Sequence, residues 1–260
     1  MKKVILTTVA VLFAAAVYAG MGDVLTSWPA PGEHTGINGI AFEGDYIWLK
    51  DRDCEFGSVM KCNTSGSVVK EIGFPYHGSG PSNGLAFDGT YLWTIYFPLP
   101  GPVRRDHYVK YTTAGSEAGG FAVHPDVVYW PSVSVSWDGQ YLWTDERPKG
   151  VDKKAGKYTT AGSLLGTFSV PGKWGTDAAY YNDQLWYGTS YPYDTVFGGV
   201  IGGDVVASFP APGGSSYAVG FDGEYLWTAD RNKPQYIYKV DIEVVGVAPA
   251  SLGKVKALFR

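Results

Sequence analysis

One pattern of apolar and polar positions recurs along this chain. Ile40-Ala41-Phe42-Glu43-Gly44-Asp45-Tyr46-Ile47-Trp48 returns as Leu85 to Trp93, as Val135 to Trp143 and as Val219 to Trp227. A degenerate copy, Ala178-Ala179-Tyr180-Tyr181-Asn182-Asp183-Gln184-Leu185-Trp186, keeps the turn and the tryptophan. The anchoring tryptophans are 45, 50, 43 and 41 residues apart. In each copy an Asp-Gly or Asn-Asp step separates two apolar runs. Those residues accept the positive φ that a two-residue hairpin turn requires, so the pattern predicts two antiparallel strands, a and b. A third run follows, as in Val109-Lys110-Tyr111-Thr112-Thr113 and Tyr236-Ile237-Tyr238-Lys239-Val240. A glycine turn then leads to a fourth, such as Val205-Val206-Ala207-Ser208-Phe209.

Four strands per repeat at this period describe a propeller blade, and five copies predict an all-β, five-bladed β-propeller of four-stranded antiparallel blades. The blades are expected at about 37–75, 82–124, 132–170, 175–210 and 216–240 plus 22–29. The last is closed by the N-terminal strand, because Gly22 to Gly32 repeats Gly203 to Gly213 almost residue for residue. A rival assignment gives that outer edge to Ile242 to Val247 and frees the N-terminal strand to pair with another subunit. On strand a, Phe42, Phe87, Trp137, Tyr180 and Phe221 alternate with Ala41, Ala86, Ser136, Ala179 and Gly220. A large face thus meets a small one between blades, and the aromatics read as core.

The repeat, an apolar strand, Asp-Gly, Tyr-Leu-Trp-Thr, Asp-Arg, then Tyr-x-Lys-Tyr and a glycine turn, resembles NHL-type and YncE-like propeller repeats. The resemblance covers nearly all of the chain after residue 19 and implies the fold. The families it points to include protein binders, ligand binders and, in related lactonase-like propellers, metal-dependent enzymes.

The ends carry different signals. Lys2-Lys3, the apolar stretch Val4 to Val17 and Val17-Tyr18-Ala19 read as a signal peptide at 1–19, cleaved after Ala19, with the propeller over 20–246. The apolar run is shorter than a spanning helix needs. The expectation is a secreted protein of the periplasm, cell surface or extracellular space. The segment 247–260 is a basic tail whose Leu252, Val255, Leu258 and Phe259 share one face at helical spacing. It is similar to short C-terminal tails of some secreted bacterial proteins, which makes a sorting or anchoring role conceivable beside that of a plain docking segment.

A net charge of −4 supplies no basic field for nucleic acid. In an oxidising compartment, Cys54 and Cys62, the only cysteines, are expected to form a disulfide rather than a metal site.

Candidate chemistry is sparse. The N-termini of the strands a line one end of the axis with Asn38, Asn83, Val133, Thr176 and Tyr217, and Asp177 is the one carboxylate beside them. It is a weak catalytic candidate, since glycoside hydrolysis needs two facing carboxylates. Lactonase-like sites want a glutamate joined to asparagine and aspartate around a calcium-type ion. Histidines 34, 77, 107 and 124 have no metal spacing, and no cofactor motif appears. Asp51-Arg52, Glu146-Arg147 and Asp230-Arg231 follow strand b in three blades. They read as loop-start carboxylates accepting backbone N–H bonds.

The loops of one end are aromatic: Tyr76, His77, Tyr129, Trp130, Trp174, Tyr191 and Tyr193, with Arg104 and Arg105 nearby. Such faces suit stacking on sugars or anchoring a protein, and equally the capping of a core. The sequence therefore favours a secreted, non-catalytic binding or scaffold module for a carbohydrate or protein ligand. The alternatives are an extracellular glycosidase or lactonase-like hydrolase, and a surface subunit assembled by strand exchange.

Overall fold

A computed structural model describes residues 20–32, 34, 36–52, 57–74, 84–96, 107–122, 134–146, 154–170, 175–189 and 194–242. They form twenty strands in five antiparallel sheets of four. Blade one contains β2 (Ile37–Glu43), β3 (Tyr46–Asp51), β4 (Ser58–Asn63) and β5 (Val68–Gly73). Blade two contains β6 (Ala86–Phe87), β7 (Tyr91–Tyr96), β8 (His107–Thr112) and β9 (Glu117–Ala122). Blade three contains β10 (Val135–Trp137), β11 (Leu142–Glu146), β12 (Lys154–Tyr158) and β13 (Leu164–Ser169). Blade four contains β14 (Asp177–Tyr181), β15 (Gln184–Gly188), β16 (Thr195–Val200) and β17 (Val205–Pro210). Blade five joins β18 (Ala218–Phe221), β19 (Leu226–Ala229) and β20 (Tyr236–Val240) to β1 (Val24–Pro29). The innermost strands touch in a closed ring, β2 to β6, β10, β14, β18 and back to β2. This is a five-bladed β-propeller.

Burial falls from the axis outward, as expected when blades stack face to face near the centre and splay at the rim. The second strands β3 and β7 are buried almost continuously. Of β1 and β5, one residue each, Trp28 and Ile72, is buried. The small tier of the inner strands allows close approach: a Cβ on Gly220 would stand 2.7 Å from Ile40 Cγ2 of the next blade. The large tier packs its rings against the neighbouring blade's tryptophan, with Phe42 on Trp227 at 5.8 Å, Phe221 on Trp186 at 5.9 Å and Tyr180 on Trp143 at 5.8 Å between centroids. These rings are half-buried rather than fully enclosed, because their inner edges rim the axial channel.

The repeated polar residues have a shared purpose. In four blades the carboxylate of the a–b turn accepts the indole N–H of the anchoring tryptophan: Glu43 from Trp48, Asp88 from Trp93, Asp138 from Trp143 and Asp222 from Trp227, at 2.7 to 2.8 Å. The lysine opposite on the third strand lies over that indole and the turn tyrosine, as Lys239 does 3.9 Å from the Tyr225 centroid and 5.6 Å from that of Trp227. Blade four departs. Asp183 accepts from Tyr180 instead, Gly198 stands where the lysine would be, and the buried Trp186 Nε1 has no partner.

Closure runs through the N-terminal strand. β1 pairs antiparallel with β20, Trp28 opposite Ile237, and so takes the edge that the rival assignment gave to 242–247. Trp28 enters a core cluster with Trp227, Ile40 and Met60. It also covers the c–d turn of blade one at Gly66, whose φ of +91° and 2.8 Å separation from the indole leave no room for a Cβ. Gln235 reinforces the seam. Its side-chain amide accepts from the Ile37 N–H at 2.8 Å and donates to the Ile37 carbonyl at 3.0 Å, 198 residues away.

The expected disulfide is corrected at Cys62. This side chain points into the core among Ile47, Leu49 and Met60 and is a free thiol, while Cys54 lies outside the described residues. Strand alternation sets the direction: Cys62 sits opposite Ile47, on the blade face packed against blade five, not on the hairpin's exposed edge.

Candidate functional site

Every first strand runs from the end carrying the b–c and d–a connections, here the loop end, toward the end carrying the tight a–b and c–d turns, the turn end. At the loop end the inner strands of several blades bring polar side chains together near the axis. β2 supplies Asn38, β3 supplies Lys50 and Asp51, β11 supplies Asp145 and β14 supplies Asp177, all buried. Around them Ser216 and Thr228 hydroxyls meet at 2.6 Å, and Thr94 donates to the Gly84 carbonyl at 3.0 Å. The Thr176 hydroxyl donates to the Ser216 carbonyl.

Asp177 is held by the protein itself. Its Oδ2 accepts the Val219 N–H of the next blade at 2.9 Å, while Oδ1 is buried without a hydrogen-bond partner. Burial pushes its carboxyl well above the usual range, the Val219 and Ala178 N–H groups and the Lys50 charge pull it back, and the charge of Asp145 adds to the rise. Asp145 accepts both the N–H and the hydroxyl of Ser134, at 2.9 and 3.2 Å. Lys50 is fully enclosed and donates to Asn38 Oδ1 at 3.3 Å. Burial brings its amine down to about 7, against the opposing charges of Asp177 and Asp51 and with Arg52 adding to the fall. A buried lysine from blade one and buried carboxylates from blades three and four thus balance one another. Sequence reasoning found Asp177 but missed Lys50 and Asp145, which stand in alternating strands with no motif around them. Their one signal is a charge at a position two residues after the tryptophan, where blade five has Ala229.

Further out, His34 Nδ1 lies 2.7 Å from Asp51 Oδ2. Asp230 accepts the Asn232 and Tyr236 N–H groups, the Asn232 amide and the Tyr238 hydroxyl, and so organises the b–c loop of its blade. Tyr217 receives two guanidinium groups: Arg52 at 5.5 Å and Arg231 at 5.1 Å from its ring centroid, with Arg52 Nη1 also donating to its hydroxyl at 3.1 Å. These cations follow the tryptophans of blades one and five at the same offset, and Tyr217 stands between them on the rim.

Tyr76, His77, Arg104, Arg105, Tyr129, Trp130, Trp174, Tyr191 and Tyr193 all lie outside the described residues, as do Asn83 and Val133. Among the described residues no group of three His, Cys, Asp or Glu side chains is placed to hold a metal ion. No helix among them is long and apolar enough to cross a membrane.

No family model and no curated protein matches the sequence. Among solved structures, the chain is similar to one from a crystal structure of a nidogen/laminin complex, with a TM-score of 0.51 at 13% identity over 75% of this chain and 72% of that one. It also aligns with a chain from a crystal structure of a mitotic checkpoint complex, with a TM-score of 0.47 at 11% identity over 93% of this chain and 99% of that one. At such identity the likeness is one of architecture, and it identifies this chain as a β-propeller without reference to what it binds.

Proposed function

We propose that this protein is an exported, non-catalytic binding or scaffold module that uses the loop end of the propeller to hold a glycan or a protein. One observation carries the reading against a hydrolase. Among the described residues, the carboxylates that come together near the axis, Asp145 and Asp177, are buried; Asp145 accepts from Ser134, and Asp177 is tied through Oδ2 to the Val219 N–H with Oδ1 enclosed by protein. Glycoside hydrolysis needs two carboxyl groups facing one open cleft, one of them free to give a proton to the substrate. A carboxylate that ties blade four to blade five is a structural bond. The loops that leave this end carry tyrosine and tryptophan in place of the small polar residues usual in loops, and these suit sugar rings and protein hot spots. Export rests on the basic and apolar segment at 1–19.

The test is a glycan array together with a pull-down, run on the intact protein and on Trp130→Ala and Trp174→Ala. Binding that these substitutions weaken supports the reading. An absence of any ligand sensitive to either, or a measured turnover that Asp177→Ala abolishes, overturns it.

A further inference from the structure

The turn end has a feature that the loop-end reading leaves unused. There the axial channel opens as a pit of about 110 Å³, rimmed by the half-buried rings of Phe42, Phe87, Trp137, Tyr180 and Phe221. Deeper tiers are aliphatic or small. The exception is Ser136, which lines the wall, is more than nine-tenths buried and has a hydroxyl with no hydrogen-bond partner. An apolar cavity of about 150 Å³ holds a benzene molecule, so this pit is sized for one aliphatic side chain.

The surround is acidic. Glu43, Asp88, Asp138 and Asp222 stand in the repeated turns, and the exposed Asp45 and Glu224 stand beside them. Lys61, Lys157 and Lys239 pair with Glu43, Asp138 and Asp222 at 2.9, 3.5 and 3.4 Å, which leaves the turn end with an excess of carboxylates.

Strand direction brings a complementary segment to the same end. β20 runs toward the turns, so the chain reaches the turn end at the buried Ile242, the last described residue. The segment 251–260 carries Lys254, Lys256 and Arg260, no carboxylate, and an apolar stripe at Leu252, Val255, Leu258 and Phe259. Reach is ample. The first and third strands of a blade stand roughly 10 Å apart, and the ten residues from Ile242 to Leu252 span up to about 33 Å. The tether also sets an effective concentration on the order of millimolar.

We propose that residues 251–260 dock across the turn-end mouth of their own propeller, with a leucine of the apolar stripe in the pit beside Ser136 and the basic residues against the acidic turns. Hydrogen exchange of the intact chain, read by mass spectrometry, tests this. The tail amides should exchange about tenfold or more slowly than in a Ser136→Leu variant, whose new side chain fills the pit. Raising the salt to about 0.5 M should weaken the protection, since it screens the charges. If Ser136→Leu disturbs the blades, the double variant Leu252→Asp/Leu258→Asp, altered in the tail alone, should lose protection equally. The proposal falls if the tail amides of the intact chain exchange at the rate of a free peptide, or if protection survives both variants. It falls as well if protection grows with protein concentration, which would place the tail on a second copy.

Discussion

The side-chain amide of Gln235 makes two hydrogen bonds to the backbone of Ile37, accepting its N–H at 2.8 Å and donating to its carbonyl at 3.0 Å, across the seam where blade five meets blade one. Both residues are buried. Replacing Gln235 with leucine keeps the volume but orphans three backbone groups that water cannot reach, the Ile37 N–H and carbonyl and the Asp230 carbonyl, each at about 1–3 kcal/mol. The Gln235→Leu protein should unfold at clearly lower urea concentration with an unchanged slope. A midpoint equal to the parent's would show that the seam does not depend on this amide.

The other half of the closure is β1. Removing residues 20–30 takes Trp28 out of its core cluster and exposes β20 as an unpaired edge. Loss of one buried aromatic typically costs about 3–5 kcal/mol, a large share of the roughly 5–15 kcal/mol that holds a domain together. The truncated protein should melt far lower and aggregate. Deletion from Ser251 onward should lower the melting temperature by far less than removal of β1, because β1 already occupies the edge of β20.

Lys50 gives the protein a pH signature. Its amine releases its proton near pH 7 in the folded state and near the ordinary value of 10.5 in the unfolded one. Between those values the unfolded chain holds the extra proton, so stability should rise with pH across this window. Below about pH 7 both states are protonated and this contribution is flat, with the cost of the buried charge fully present. Asp177 slopes the other way: its folded carboxyl titrates above the unfolded one, so its contribution falls as pH rises from about 3.8 through the raised value. Urea midpoints at pH 7 and pH 9.5 should differ in the parent and converge in Lys50→Met. A persistent rise in the variant would assign the effect to another group.

Cys62 should be silent. Burial pushes its thiol up to about 12 and its side chain has no path to solvent. A thiol reagent should modify it only when urea unfolds the chain, and a reductant should leave the melting temperature unchanged. A fall of several degrees on reduction would restore the bridge to Cys54 that the compartment argument suggests.

The sequence by itself determined the blade. The Asp-Gly steps, the tryptophan and the third-strand lysine are set by contacts within one repeat: a turn, an indole bonded to the turn carboxylate, a cation over two rings. Local contacts leave a local record, and copying the unit five times made that record legible. Closure was legible for the same reason, since the N-terminal strand repeats the outer strand of blade four.

Only the tertiary structure decided what happens between repeats. Lys50, Asp145 and Asp177 come from blades one, three and four and meet near the axis, where no spacing along the chain connects them. Gln235 and Ile37 are joined only because the ring closes. Trp186 keeps the motif's tryptophan but loses both partners: Tyr181 stands where the turn carboxylate would be, and a Cβ on Gly198 would stand 2.7 Å from the indole, so no lysine fits there. Cys62 points inward because strand alternation in blade one fixes its direction, a constraint that outranks the expectation drawn from two cysteines in an exported chain. A repeat specifies its own hydrogen bonds through sequence, whereas contacts across the axis and the seam depend on how five such units are packed.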